Sequence, residues 1–145
     1  MTGIRSAALA LAAAAALFSG CLSFKDPMHH EDNFIEHMRT FTQYVRWGNF
    51  AGAATYLAEE QRDAFLELTP QLSDVRFTDY EILRQDLNAD RTEATVEVAL
   101  TGYRLSSPVS RTMRLQQHWT RVSGSDWEVR VELAPMRAAL GLAAQ

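Results

Sequence analysis

The chain has 145 residues, of which 47% are hydrophobic and 22% charged, with a formal net charge of −4 and one cysteine. That length accommodates one domain with a single real core, and the acidic balance argues against nucleic acid as a partner, because phosphates demand a basic face. A lone cysteine excludes an internal disulfide. No spacing of His, Cys, Asp and Glu and no glycine-rich loop reaches the specificity of a metal or cofactor motif, so neither is expected.

Residues 1–20 have the three-part layout of an export signal: Arg5, an apolar stretch from Ala7 to Phe18, and the small residues Ser19 and Gly20 before Cys21. A helix that spans a bilayer needs about 20 apolar residues, and this run is only about a dozen long. Leu17-Phe18-Ser19-Gly20-Cys21 resembles the lipobox of bacterial lipoproteins, with Phe18 where that family usually has leucine. The resemblance implies cleavage before Cys21 and lipidation at that residue, giving a membrane partner through several acyl chains; stable attachment takes at least two. Leu22, rather than an aspartate, follows the cysteine, and in such families this resembles a signal for sorting to the periplasmic side of the outer membrane. Retention at the inner membrane is the alternative. Removal of residues 1–20 takes away Arg5 and no acid, so the remaining domain is more acidic still.

Residues 21–31 carry Pro27 and no sustained apolar period, and read as a tether. Ten extended residues reach at most about 35 Å, which keeps the domain close to the membrane. Asn33 and Glu36 have capping-box spacing, and Phe34, Met38, Phe41 and Val45 recur at helical intervals up to Gly48. Asn49 is placed to cap a second, short helix with Phe50, Ala53, Ala54 and Leu57 inward. A third helix is expected from about Glu60 to Leu68, burying Ala64, Phe65 and Leu68 and closed by Pro70.

After Pro70 the apolar period switches from about 3.6 to 2. Strands are expected over Val75 to Gln85, Thr92 to Tyr103, Arg111 to Val122 and Trp127 to Leu133. Asn88-Ala89-Asp90 and Ser123-Gly124-Ser125-Asp126 supply turns, and Pro108 interrupts the middle connection. All connections are short enough for antiparallel neighbours. Residues 134–145 read as a C-terminal tail with a weak helix starting at Pro135.

Helices followed by a four-stranded meander make an α+β domain over residues 32–133, its sheet covered on one face by the helices. This order resembles the nuclear-transport-factor-2-like (NTF2-like) superfamily, in which a curved sheet wraps a long N-terminal helix to form a cone. The likeness is carried by Tyr44-Val45-Arg46-Trp47-Gly48-Asn49-Phe50 and by the late hairpin from Trp119 to Trp127, and extends from about Glu31 to Leu133. A cystatin-like sheet around one helix is the nearest rival. The superfamily holds isomerases, dehydratases and epoxide hydrolases beside non-catalytic binding and assembly modules, so the fold alone does not choose a function.

Enzymes of that superfamily place acid and base groups inside the cone. On the inward parity of the last three strands only Gln117 is polar, and an amide cannot transfer protons. On the first strand, Asp79 shares a face with Phe77; pointing inward it would be a candidate general base near Tyr44. A β-bulge would instead turn Tyr80 and Ile82 inward and leave Asp79 in solvent. Trp47, Gln117, Trp119 and Trp127 are candidate pocket residues, although such tryptophans more often fill a small domain's core. His118 falls on the outward parity, and His29-His30-Glu31 lack further converging ligands. The expectation is a lipid-anchored module of the cell envelope that holds a protein partner or a small apolar ligand without catalysis. The alternatives are an isomerase-type or dehydratase-type enzyme using Asp79 and Tyr44, and a purely structural envelope component.

Overall fold

A computed structural model describes residues 29–142; the expected export signal, Cys21 and most of the expected tether lie outside the described residues. The described chain runs α1 (His30–Arg46), α2 (Phe50–Ala54), α3 (Glu59–Leu72), β1 (Val75–Leu87), β2 (Glu93–Arg104), β3 (Ser107–Ser123), β4 (Asp126–Val131) and α4 (Ala134–Leu140). The four strands form one antiparallel sheet in sequence order. The α+β arrangement expected from the change in period is the one found.

Helix α1 starts a turn before the Asn33–Glu36 box. His29 precedes it with left-handed backbone angles, its carbonyl accepts the Asn33 N–H at 2.9 Å, and Glu31 and Asp32 put negative charge in the first turn, where the helix dipole favours it. Asn33 is therefore inside the helix, and the tether ends two residues before the expected boundary. Phe34, Met38, Phe41 and Val45 form the buried stripe. The helix stops at Gly48, whose φ of 73° is one that a side chain would strain. Asn49 caps α2 as expected, its side-chain oxygen accepting the Gly52 N–H at 3.0 Å.

Helix α3 corrects two expectations. Ala64 is exposed, and the inner face is Phe65, Leu68 and Leu72. Pro70 does not close the helix but lies within its last turn. Proline forfeits one backbone hydrogen bond there, but the helix is about to end, and continuing two more residues buries Leu72 beneath the sheet's edge of the core. Ser73 then terminates it, its hydroxyl donating to the Pro70 carbonyl at 2.7 Å.

The sheet's concave face is lined by alternate residues of β2, β3 and β4: Ala94, Val96, Val98 and Leu100, then Met113, Leu115, Gln117 and Trp119, then Trp127, Val129 and Val131, all buried. Strand β1 follows that alternation only through its bulges. The register shifts between Phe77 and Asp79 and again between Ile82 and Arg84, so Thr78 and Leu83 are the extra residues. Gly102 faces Phe77 across the ladder, and a Cβ there would come within 2.8 Å of the Arg76 carbonyl oxygen and 2.9 Å of the Phe77 ring. Glycine is required because the bulged strand crowds this point.

Both sheet edges are protected. On β4, Val129 exchanges backbone bonds with Tyr56 and Ala58, and the Gln61 amide clamps Val131, donating to its carbonyl and accepting its N–H, each at 2.8 Å. On β1 the two bulges interrupt the free ladder, which discourages pairing with another chain. Strand β3 begins at Ser107, four residues before the expected start, and carries Pro108 in an exposed ribbon where its missing N–H costs little. The Asn88 side chain closes the β1–β2 turn by accepting the Thr92 and Glu93 N–H groups. The helix expected from Pro135 in the C-terminal tail is present as α4 over Ala134–Leu140 and packs on β3, with Met136 and Leu140 buried and Gly141 ending it at φ 62°.

Candidate functional site

The cone formed by α1 and the sheet is filled. Phe34 meets Trp119 edge-on at 6.0 Å and lies 5.1 Å from Trp127, and Phe41 meets Trp119 edge-on from the next turn at 5.8 Å. Gln117 is completely buried and makes the one polar relay of this interior. Its Oε1 accepts the Trp119 indole N–H at 3.0 Å, its Nε2 donates to the Thr42 hydroxyl at 3.3 Å, and Thr42 donates in turn to the Met38 carbonyl at 2.8 Å. An amide engaged at both its oxygen and its nitrogen inside a core orients its neighbours, and its complete burial keeps it from an incoming molecule. Gln117, Trp119 and Trp127 are thus core residues and not the lining of an open pocket, which corrects their sequence-based assignment.

The first strand takes the bulged course. Tyr80 and Ile82 turn toward the core and are half-buried, whereas Asp79 is exposed and its carboxylate accepts its neighbour's N–H, that of Tyr80, at 2.8 Å. Tyr44 leans instead on Tyr56, the ring centroids 6.1 Å apart, and His37 meets Tyr56 edge-on at 5.5 Å. Among the described residues no hydrogen bond or ring contact joins Tyr44 to Asp79, so the structure does not assemble the proposed acid–base pair. Burial, and then the neighbouring Tyr44, push the Tyr56 phenol above its ordinary pKa against the opposing hydrogen bond from Thr40. It therefore keeps its proton at neutral pH and takes part in hydrogen bonds as a neutral phenol.

The convex face carries charges that pair across strands. Arg114 bonds to Glu97, Arg130 to Glu60 of α3, and His118 lies 3.5 Å from Glu132. Hydrogen bonding from its own backbone N–H, and then from Arg130, holds the Glu60 carboxyl below its ordinary range. Asp74 is similarly lowered, first by the Ser106 hydroxyl and then by Arg104, and so pins the α3–β1 junction to the β2–β3 turn. Among the described residues no group of three or more His, Cys, Asp or Glu is arranged to hold a metal, and no helix is long and apolar enough to cross a membrane.

Trp47 is the fourth residue singled out in the sequence, and it stands apart from the other three. It is 75% exposed at the end of α1, beside a groove of about 600 Å³ between that end, the last turns of α3 and the start of β1. Phe50, Leu72, Val75 and Phe77 make its apolar surface, Thr69 and Ser73 contribute hydroxyls, and Arg46 and Arg76 flank it with no acid in the lining. The Arg46 guanidinium lies 4.5 Å over the Trp47 ring while donating to the Phe77 carbonyl at 2.8 Å. Arg76 donates to the carbonyls of Ser73 and Val75 at 3.0 and 2.8 Å. Sequence reading found Trp47 but missed this groove, because Arg76 and Phe77 lie about 30 residues away along the chain and meet it only in the folded domain.

No family model and no curated protein matches the sequence. Solved structures do. A ketosteroid isomerase-like protein from Erwinia carotovora atroseptica superposes with a TM-score of 0.52 at 13% identity, covering 64% of this chain and 85% of that one. An NTF2-like protein of unknown function in nutrient uptake from Rhodospirillum rubrum gives 0.52 at 15% identity, covering 66% and 90%. The domain has the NTF2-like fold. A SEC-C motif containing protein from Rhodopseudomonas palustris is similar as well, at a TM-score of 0.54 and 14% identity over 66% of this chain and 74% of that one. At such identities the likeness fixes the NTF2-like architecture and leaves activity to the site.

Proposed function

We propose that this NTF2-like chain is a bacterial lipoprotein, held through Cys21 at the periplasmic face of the outer membrane, and that it works as a non-catalytic module binding an envelope protein or a small apolar ligand. The observation that carries the non-catalytic half is the filled cone. The place where relatives of this fold do chemistry is occupied by the Phe34, Phe41, Trp119 and Trp127 rings around a completely buried Gln117. The anchoring half rests on the export-signal layout and lipobox pattern ending at the single cysteine.

Fractionation of cells that express the Cys21→Ser variant tests the anchor: the wild type is expected in the membrane pellet and the variant in the soluble fraction. A variant that still sediments with membranes refutes lipid anchoring. The enzymatic alternative draws on the likeness to a ketosteroid isomerase-like protein and would use Asp79 and Tyr44. Its test is complementation of a deletion strain by the Asp79→Asn, Tyr44→Phe double variant. Full complementation is expected, because the carboxylate lies on the exposed side of β1; loss of function at normal protein levels would restore the catalytic reading.

A further inference from the structure

The groove beside Trp47 has the features of a recognition site and a local charge opposite in sign to the chain's net charge. The chain is acidic overall, yet this concavity is flanked by two arginines and lined by no acid. Their hydrogen-bond partners are backbone carbonyls, and no carboxylate pairs with either guanidinium among the described residues. Each guanidinium carries five N–H donors, and these bonds use one or two, which leaves a pre-positioned cation with free donors at the rim. Between them lie the Phe50 and Phe77 rings and the Thr69 hydroxyl, which is buried without a hydrogen-bond partner. Such an unpaired buried hydroxyl costs free energy in the free domain.

We propose that this groove docks an acidic segment of a partner protein, one that places an apolar side chain against Phe50 and Phe77 beside Trp47 and sets its carboxylates on Arg46 and Arg76. Charge complementarity selects the acidic partner, and the exposed tryptophan with two arginines is the composition that dominates binding energy at protein interfaces. A membrane surface is the lesser fit, because insertion into lipid calls for a protruding apolar wedge and this site is a concavity with a floor. Helix α1 has 17 residues and so separates the groove from the tether end of the domain by about 25 Å. The first residue of α1 and the docking site thus lie at opposite ends of that helix. The inference rests on the reading of the chain as a binding module.

The test is selection of random twelve-residue peptides displayed on phage against the full chain in detergent, followed by titration of the selected peptides with tryptophan emission as readout. Trp119 and Trp127 are buried already, so an emission change reports on Trp47. Selected peptides are expected to be enriched in Asp or Glu next to an apolar residue, to bind about 30-fold or more weakly to Trp47→Ala, and to weaken with added salt. The Arg46→Gln, Arg76→Gln double variant is expected to lose the acidic preference with its circular dichroism unchanged. Selection of basic or uncharged sequences, failure to select any, or undiminished binding to Trp47→Ala overturns the proposal. So does an emission shift with phosphatidylglycerol vesicles but none with peptides, which would make the face a membrane contact. Because the titration needs no membrane attachment, its failure is separate from that of the Cys21→Ser fractionation.

Discussion

Replacement of Trp119 by alanine is expected to lower the free energy of unfolding by about 3–5 kcal/mol from lost burial and the cavity left behind. The side chain is 1% exposed and is the meeting point of Phe34 and Phe41 from α1 with the middle of the sheet. A second cost arises because the Gln117 Oε1 loses its only donor, and a buried acceptor left alone costs about 1–3 kcal/mol more. Domains of this size are stable by about 5–15 kcal/mol, so the variant would sit at the edge of folding. Trp119→Phe keeps much of the volume and loses the N–H, and should fall between the two. Urea denaturation at 25 °C followed by near-ultraviolet circular dichroism measures both. An unchanged midpoint for Trp119→Ala would mean that the cone is open and that its filling does not hold the helix to the sheet.

Gln117→Glu gives the second large effect, and it depends on pH. The substitution is nearly isosteric, so the neutral acid fits where the amide sits, but its ionised form would be fully buried among Val96, Val131, Trp119 and α1 with no cation present. Burial raises the folded-state pKa of such a group, to about 8–9 in documented cases, above an unfolded value of about 4.3. Between those two values the folded state binds one more proton than the unfolded state, so stability falls as pH rises, by about 1.4 kcal/mol per unit. From pH 4.3 to pH 7 the variant is therefore expected to lose about 3–4 kcal/mol relative to the wild type. The readout is the difference between variant and wild-type urea midpoints across that range, which removes the slopes of the other acids. A difference that stays constant with pH would show position 117 to be solvated.

The same two residues show what could be read before the fold was seen. Alternation along β2, β3 and β4 identified Gln117 as the only polar inward position, and the structure keeps all eleven of those inward residues buried. What alternation could not settle was whether the inward space was a pocket or a packed core. That depends on how closely α1 approaches the sheet, and the volumes of Phe34 and Phe41 against Trp119 decide it across more than 70 residues of intervening chain.

Strand β1 marks the other limit. Its sequence admits two parities, because Phe77 and Asp79 share one and Tyr80 and Ile82 the other. The bulge at Thr78 satisfies both apolar pairs at once and sends Asp79 outward. The pattern of residues 75–82 does not choose between the parities, and the bulged course goes with a glycine at 102, where a side chain would clash with Arg76 and Phe77. Helix ends moved for related reasons. Pro70 and the Asn33–Glu36 pair are local stop and start signals, each worth a few kcal/mol at most, and burial of Leu72 and favourable charge before Asn33 outweigh them.

Composition, periodicity and turn chemistry by themselves determined the α+β class, the order of the elements, the antiparallel meander and the stripe of α1, because these follow from spacings within one segment. The expected address at Cys21 is likewise written in a contiguous stretch. Only the tertiary structure decided that the cone is solid, that Asp79 faces solvent, and that Arg46, Trp47 and Arg76 share one groove. Those outcomes depend on distances between residues far apart in the chain, and side-chain volume and charge act through such distances only after the backbone has brought the residues together.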